Sequence, residues 1–241
     1  MVQIFKNLLK NLRDFVLGDF RSNKLSDIIV NKILRYSKNK KSIKILDYGS
    51  GFQPQVIYFV LTKLKKKQKN IIVKVDCYDF YSKSEMLKLK KIYGSKINFK
   101  NLKSIPKDKK YDYCMISDVL HHMNIEKEDL IISTLKQLLK ISNILIVKDH
   151  FQSGPLSNNI IRFMDFLGNY FNDVEIPKKY YTKTNFDNLL KKIKVNILEK
   201  NISIKLYPSY LLFMANPDFH FVYLLEKNKI SEKKMERWPS G

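Results

Sequence analysis

Between Ser42 and Phe151 short apolar runs alternate with helical patterns, and few folds accommodate that order. "SIKILDYGSG" is an apolar run that enters a glycine turn. "NIIVKVDCYDFY", "KINFKNL", "KYDYCMISDVLHHM" and "NILIVKDHF" are four further strand-like runs. Among them, "QVIYFVLTKLKKKQ", "SKSEMLKLKKIYG" and "EKEDLIISTLKQLLKI" read as helices. The first ends in lysines, which suit a helix C-terminus. The second has Ser82 or Ser84 as candidate cap and Gly94 as stop, and the third has acids in its first turn. Strands alternating with helices predict an α/β domain with a mainly parallel sheet. Functional groups then belong at the carboxyl ends of the strands.

The flanks are different. Ile4, Phe5, Leu8, Leu9, Leu12, Phe15 and Val16 form one apolar stripe, with Lys6, Lys10 and Arg13 off it. This predicts a helix packed on the domain or over its site, with peripheral membrane contact through residues 1–17 as the alternative. A second helix is expected over Lys24 to Tyr36. After Phe151 the alternation breaks. An aromatic-rich segment carries helical patterns around Asn158 to Tyr170 and Thr184 to Lys192, placed to act as a lid or substrate wall. Two late runs, "VNILEKNISIKLYP" and "FHFVYLLEKN", can pair as an antiparallel hairpin at the sheet edge. The expected organisation is N-terminal helices over 1–40, a core over 41–150, a helical cap over 151–193, a closing hairpin over 194–228 and a loose tail over 229–241.

A length of 241 residues fits one large domain with an inserted cap. No apolar run approaches the ~18 residues that span a bilayer. Basic residues interrupt every N-terminal stretch that could serve as a signal-peptide core. With Cys77 and Cys114 the only cysteines, no disulfide framework or cysteine-based zinc spacing exists, and a cytoplasmic location is expected. The net charge of +22 is nearly all lysine, spread along the chain and accompanied by many Ile and Asn. That composition follows from AT-rich coding. It leaves a polyanionic partner as a secondary reading, with an anionic small substrate or lipid headgroup beside it.

The motifs come in a telling order. The first strand ends in "ILDYGSG", the second in "YDFYSKSEML" and the fourth in "YDYCMISDVLHHM". A dinucleotide fold would need G-x-G-x-x-G opening a helix; here Pro54 stands where the third glycine belongs. In this order the three motifs resemble those of the class I S-adenosylmethionine-dependent methyltransferases, in the small-molecule, type 11/12-like branch. The resemblance covers roughly Ile43 to Lys148 and the closing hairpin. It implies a Rossmann-like, seven-stranded, mainly parallel sheet and S-adenosyl-L-methionine as cofactor. The cofactor would be held by Asp47, Tyr48, Gly49, Ser50, Gly51 and Gln53 of the first loop. Asp79, preferred over Asp76, would take the ribose hydroxyls, and Phe80 would border the adenine. Asn101 and Leu102 follow the third strand, and Ser117, Asp118 and His121 follow the fourth. The family often has glycine where Gln53 stands and an acid early after the third strand, where this chain has none.

Methyl transfer is an in-line displacement that positioning alone can serve. A base is needed when the acceptor is a poor nucleophile. The candidates are His150, His122 and His121, with Asp149 beside His150 to orient it; His220 reads as structural. No metal is expected, because adjacent histidines are poor joint ligands and no third ligand stands nearby in sequence. The cap resembles, more loosely, a segment of some bacterial methyltransferases, which implies an acceptor wall of His150, Arg162, Asp165, Asn169, Tyr180 and Tyr181. The leading expectation is O- or N-methylation of a small-molecule or lipid-like acceptor. The alternatives are a nucleic-acid methyltransferase or RNA-binding protein on the same fold, and a non-catalytic scaffold. Against the nucleic-acid reading, "SDVLHH" stands where base methylation commonly uses an Asn/Asp-Pro-Pro-aromatic tetrad or a Pro-Cys nucleophile.

Overall fold

A computed structural model describes residues 2–38, 40–105, 107–108, 110–123, 125, 127–169, 175–212 and 215–228. Its centre is β1 (Ser42–Tyr48), in which Ile43 and Ile45 face one side and Leu46 the other, as the two-residue period of a strand requires. Beside it lie β2 (Ile72–Asp79) and β3 (Ile97–Asn101) on one flank, and β4 (Tyr111–Ser117) and β5 (Ser142–His150) on the other. All four neighbouring pairs are parallel. β6 (Val195–Ile202) and β7 (His220–Lys227) pair antiparallel, and β7 also pairs antiparallel with β5. The sheet order is therefore β3-β2-β1-β4-β5-β7-β6, a seven-stranded sheet of the expected kind.

Helices cover both faces. α2 (Gln55–Lys67) buries Ile57, Val60, Leu61 and Leu64 against one face, and α3 (Lys83–Tyr93) adds Leu89 there. Ser82 caps α3 in a reciprocal box with Glu85, and Gly94 closes it. α4 (Glu128–Ile141) buries Ile131, Leu135 and Leu138 on the opposite face. The strand order reverses at β1 and β4, so a crevice opens at their carboxyl ends.

Two expectations are corrected. The N-terminus is one helix, α1 (Val2–Tyr36), and not two. No proline or helix-ending glycine motif interrupts it, and Leu25, Ile29 and Ile33 dock on the core beside α2. The side chains of the proposed membrane face, residues 1–17, lie outside the described ones, as does the tail over 229–241. The segment expected as a cap also divides. α5 (Pro155–Asn169) stands by the crevice, with Met164 and Asp165 lining it. α6 (Lys183–Ile193) does not: it buries Phe186, Leu189 and Leu190 in the core with α4, as a crossover helix must.

Candidate active site

The crevice is a cleft of about 620 Å³, within the usual range for small-molecule sites. The first loop forms one wall. Gly49 and Gly51 take φ of +69° and +65°, which only glycine adopts without strain. A Cβ on Gly49 would also stand 2.5 Å from Val119 Cγ2. The loop is pinned to β2: Gly49 N–H donates to the Tyr78 carbonyl at 2.8 Å, and Gly51 N–H donates to Asp79 Oδ2 at 2.7 Å. Phe80 N–H donates to Asp79 Oδ1, and the Tyr81 hydroxyl donates to the Gly51 carbonyl. Pro54 is the residue preceding α2, where Tyr58 N–H reaches its carbonyl. Gln53 lines the cleft.

Asp47, at the end of β1, is buried on the cleft wall. Burial, reinforced by the charge of Asp79, raises its carboxyl well above the usual range. No cation pairs with it among the described residues.

The other wall is built from charges. Asp118 follows β4 with a left-handed backbone, φ 56°, and its carboxylate accepts from Arg21 of α1 and Lys148 of β5. Ser117 Oγ donates to the same carboxylate at 3.3 Å. Burial disfavours the charge of Asp118, but Arg21 and Lys148 hold its carboxyl well below the ordinary value. Burial, with Arg21 nearby, pushes Lys148 down to about 8.

Asp149 lies between two imidazoles. Its Oδ1 faces His121 Nδ1 at 2.5 Å and stands 3.5 Å from His150 Nδ1, and its carboxylate also accepts the His150 backbone N–H. His121, which follows β4, is thus the closer ring partner, beside the His150 that adjacency in sequence implied. His121 is buried, and Asp165 Oδ2 lies 3.1 Å from its Nε2. Burial opposes a charge on His121, yet Asp149 and Asp165 together raise it to about 10. His122 rests against it with ring centroids 4.1 Å apart and directs Nδ1 at the Glu175 carbonyl. His150 is buried at the cleft with its Nδ1 unpartnered, 3.5 Å from carboxylate oxygens of Asp118 and Asp149. Burial and then Lys148 lower its affinity for a proton, so His150 is neutral. His220 packs 4.9 Å from it, deeper in the sheet.

Of the residues expected at the site, Asp47, Gly49, Ser50, Gly51, Gln53, Ser117, Asp118, His121, His122, His150 and Asp165 line one cleft. Asp79, Phe80, Asn101 and Leu102 sit beyond the loop, at the ends of β2 and β3. There Phe80 is exposed and Asn101 bonds the Tyr81 carbonyl. Tyr48 faces the α4 side of the sheet. Three residues expected on the acceptor side do not line this cleft. Arg162 is exposed and donates to the Pro177 carbonyl. Tyr181 packs on Phe186 in the core, because the chain there returns to extend β5. Tyr180 supports the wall from behind, its hydroxyl donating to Asp165. The side chain of Asn169 lies outside the described residues. Arg21 and Tyr207 line the cleft without having been foreseen. The one sequence signal for Arg21 was the expectation that α1 could lie over the site.

No protein-family model matches the sequence, and no curated protein matches it. Solved structures match it in fold. Magnesium protoporphyrin IX methyltransferase from Synechocystis PCC 6803, crystallised with bound SAH, is 14% identical with a TM-score of 0.55, over 86% of this chain and 84% of that one. Human N-acetylserotonin methyltransferase in complex with SAM is 12% identical with a TM-score of 0.54, over 86% of this chain and 54% of that one. DszA carbon methyltransferase is 13% identical with a TM-score of 0.57, over 84% of this chain and 53% of that one. The chain thus spans about half the length of the latter two. These likenesses show the fold: the Rossmann-like sheet of class I S-adenosylmethionine-dependent methyltransferases.

Proposed function

We propose that this chain is an S-adenosylmethionine-dependent methyltransferase acting on an oxygen or nitrogen of a small-molecule or lipid-like acceptor. The observation that carries the reading is Asp47, a buried carboxyl on the cleft wall with no cation paired to it among the described residues. A site of that kind suits a ligand bringing its own cation, and the ammonium of a methionine moiety is one. Beside it, the turn at Gly49 and Gly51 lets backbone approach a ligand closely. Asp79 uses one lone pair of each oxygen on the loop, leaving two for the neighbouring ribose hydroxyls. Phe80 offers an exposed ring for the adenine, with Asn101 and Leu102 at the end of the neighbouring β3. When bound, S-adenosylmethionine supplies a sulfonium-activated methyl group for in-line displacement.

The opposite wall then handles the acceptor. His150, on the cleft wall and with a lowered affinity for a proton, is the candidate to take the acceptor's proton. Asp118 engages both Arg21 and Lys148, so the cleft favours a neutral acceptor over the anionic one that the overall charge suggested. Support for a small acceptor comes from the cleft volume and from neighbours named for protoporphyrin and N-acetylserotonin.

The test is calorimetric titration with S-adenosylhomocysteine, paired with thermal shift. Equimolar binding with a raised melting temperature is expected; absence of both sinks the reading. With an acceptor in hand, His150→Gln should lower kcat by about 10²–10⁴ and leave S-adenosylhomocysteine affinity unchanged.

A further inference from the structure

The sequence argued against a metal because adjacent histidines lacked a third ligand. The fold supplies one. α5 brings Asp165 against His121, and one nitrogen from each of His121 and His122 lies within 4.8 Å of a carboxylate oxygen of Asp165 and of the other nitrogen. All three residues line the cleft.

The environment of His121 is that of a held ligand. Its Nδ1 is fixed by the Asp149 carboxylate at 2.5 Å. Metal-binding histidines characteristically place their second nitrogen against a carboxylate or a backbone carbonyl in this way. Its Nε2 is buried and makes no hydrogen bond, although Asp165 Oδ2 is 3.1 Å away. Two donors at ~2.0–2.1 Å from a tetrahedral ion lie roughly 3.3 Å apart, so this pair is already spaced as co-ligands. His122 shows the second pattern, Nδ1 against the Glu175 carbonyl at 3.2 Å. It is half-buried, and its ring lies 4.1 Å from that of His121. A competing trio, His121 with Asp149 and His150, fails the same measure. There the 2.5 Å between His121 Nδ1 and Asp149 is a hydrogen bond and leaves no place for an ion.

We propose that His121 Nε2, a ring nitrogen of His122 and the carboxylate of Asp165 bind one divalent transition ion of the zinc type, with a further position open to the cleft. Two imidazoles and one carboxylate suit such an ion, and three protein ligands with an open position are the pattern of a working site, not a structural one. A hydroxyl occupying the open position would lose its proton more readily. That role rests on the methyltransfer reading; the binding of the ion does not.

The probe is Co²⁺, added to tag-free full-length chain stripped with chelator, without cofactor or acceptor. The expected result is one equivalent bound, with visible d–d absorption of tetrahedral or five-coordinate strength, displaced by Zn²⁺. His122→Gln and Asp165→Asn should each weaken Co²⁺ by at least about tenfold. His122 is half-buried and makes no ion pair, so His122→Gln should keep the fold even if Asp165→Asn does not, and unfolding of each stripped variant checks this. No stoichiometric Co²⁺ uptake overturns the proposal, as does uptake unchanged in folded His122→Gln. S-adenosylhomocysteine binding is measured on the same stripped protein. Its failure would strike the methyltransfer reading and leave the ion untouched, and the converse also holds.

Discussion

The two walls of the cleft are built on opposite principles. The wall at the ends of β1 and β2 is local. Its loop spans a few residues, its geometry comes from two glycines with positive φ, and its buried Asp47 has no paired cation among the described residues. The wall at the ends of β4 and β5 is assembled from afar. Arg21 reaches Asp118 across 97 residues, Lys148 reaches it across 30, and Asp149 reaches His121 across 28. The first wall waits for a ligand to complete it, and the second is already neutralised from within. The proposed methyl transfer, with a constant cofactor beside a changeable acceptor, would give reason to separate the two in this way.

If the second wall is a self-satisfied charge network, its centre should be the most costly place to cut. Asp118→Asn leaves Arg21 and Lys148 facing each other with no anion between them. Breaking a buried pair by removing one partner costs about 3–5 kcal/mol, and equilibrium urea unfolding should show a loss of that order. A loss below about 1 kcal/mol would mean that solvent, not Asp118, neutralises the two cations.

The first wall should break by shape. Gly49→Ala puts a methyl 2.5 Å from Val119 Cγ2 on a backbone at φ +69°. Strain and overpacking together should cost about 1–3 kcal/mol. Calorimetry should also show loss of S-adenosylhomocysteine binding, because the loop cannot keep its path. Retained affinity would show that the loop can move without harm.

The contrast explains what could be read beforehand. Asp47, Gly49, Gly51 and Asp79 lie in contiguous motifs, and strand–turn–helix order is enough to place them. The sheet followed from apolar periodicity for the same reason. Arg21 sits on α1 with nothing nearby in sequence to mark it, and only docking of that helix beside α2 brings it to the cleft. Asp149 does stand near the His150 ring that adjacency suggested, but its closer partner, His121, comes from 28 residues away and had no mark in the sequence. Asp165 was expected on the acceptor side, but its place beside His121 could not be read, because the two meet only through the return of α5 to the cleft. Tyr181 misled in the opposite sense: an aromatic in the expected cap turned out to pack in the core.

Lys148 offers a pH handle on the second wall. Its folded pKa of about 8 lies below the ordinary 10.5, so between those values the unfolded chain holds a proton that the folded chain does not. Stability contributed by this group is then independent of pH below about 8 and rises as pH climbs toward 10.5. Unfolding free energies across that range should rise in the native chain, and the rise should flatten in Lys148→Met. A native curve that falls throughout would mean that Lys148 keeps its proton and that its pairing with Asp118 outweighs burial.

The smallest effect marks where the second wall ends. Arg162 is one turn from Asp165 and was expected to face the acceptor. Instead it is exposed and donates to the Pro177 carbonyl. Exposed substitutions away from such networks stay within about 0.5 kcal/mol. Arg162→Ala should therefore leave stability, Co²⁺ uptake and turnover close to those of the native chain. Asp165→Asn, one helical turn along, should lose the ion. Equal effects at the two positions would mean that α5 matters to the cleft as a whole helix face and not through the single carboxylate beside His121.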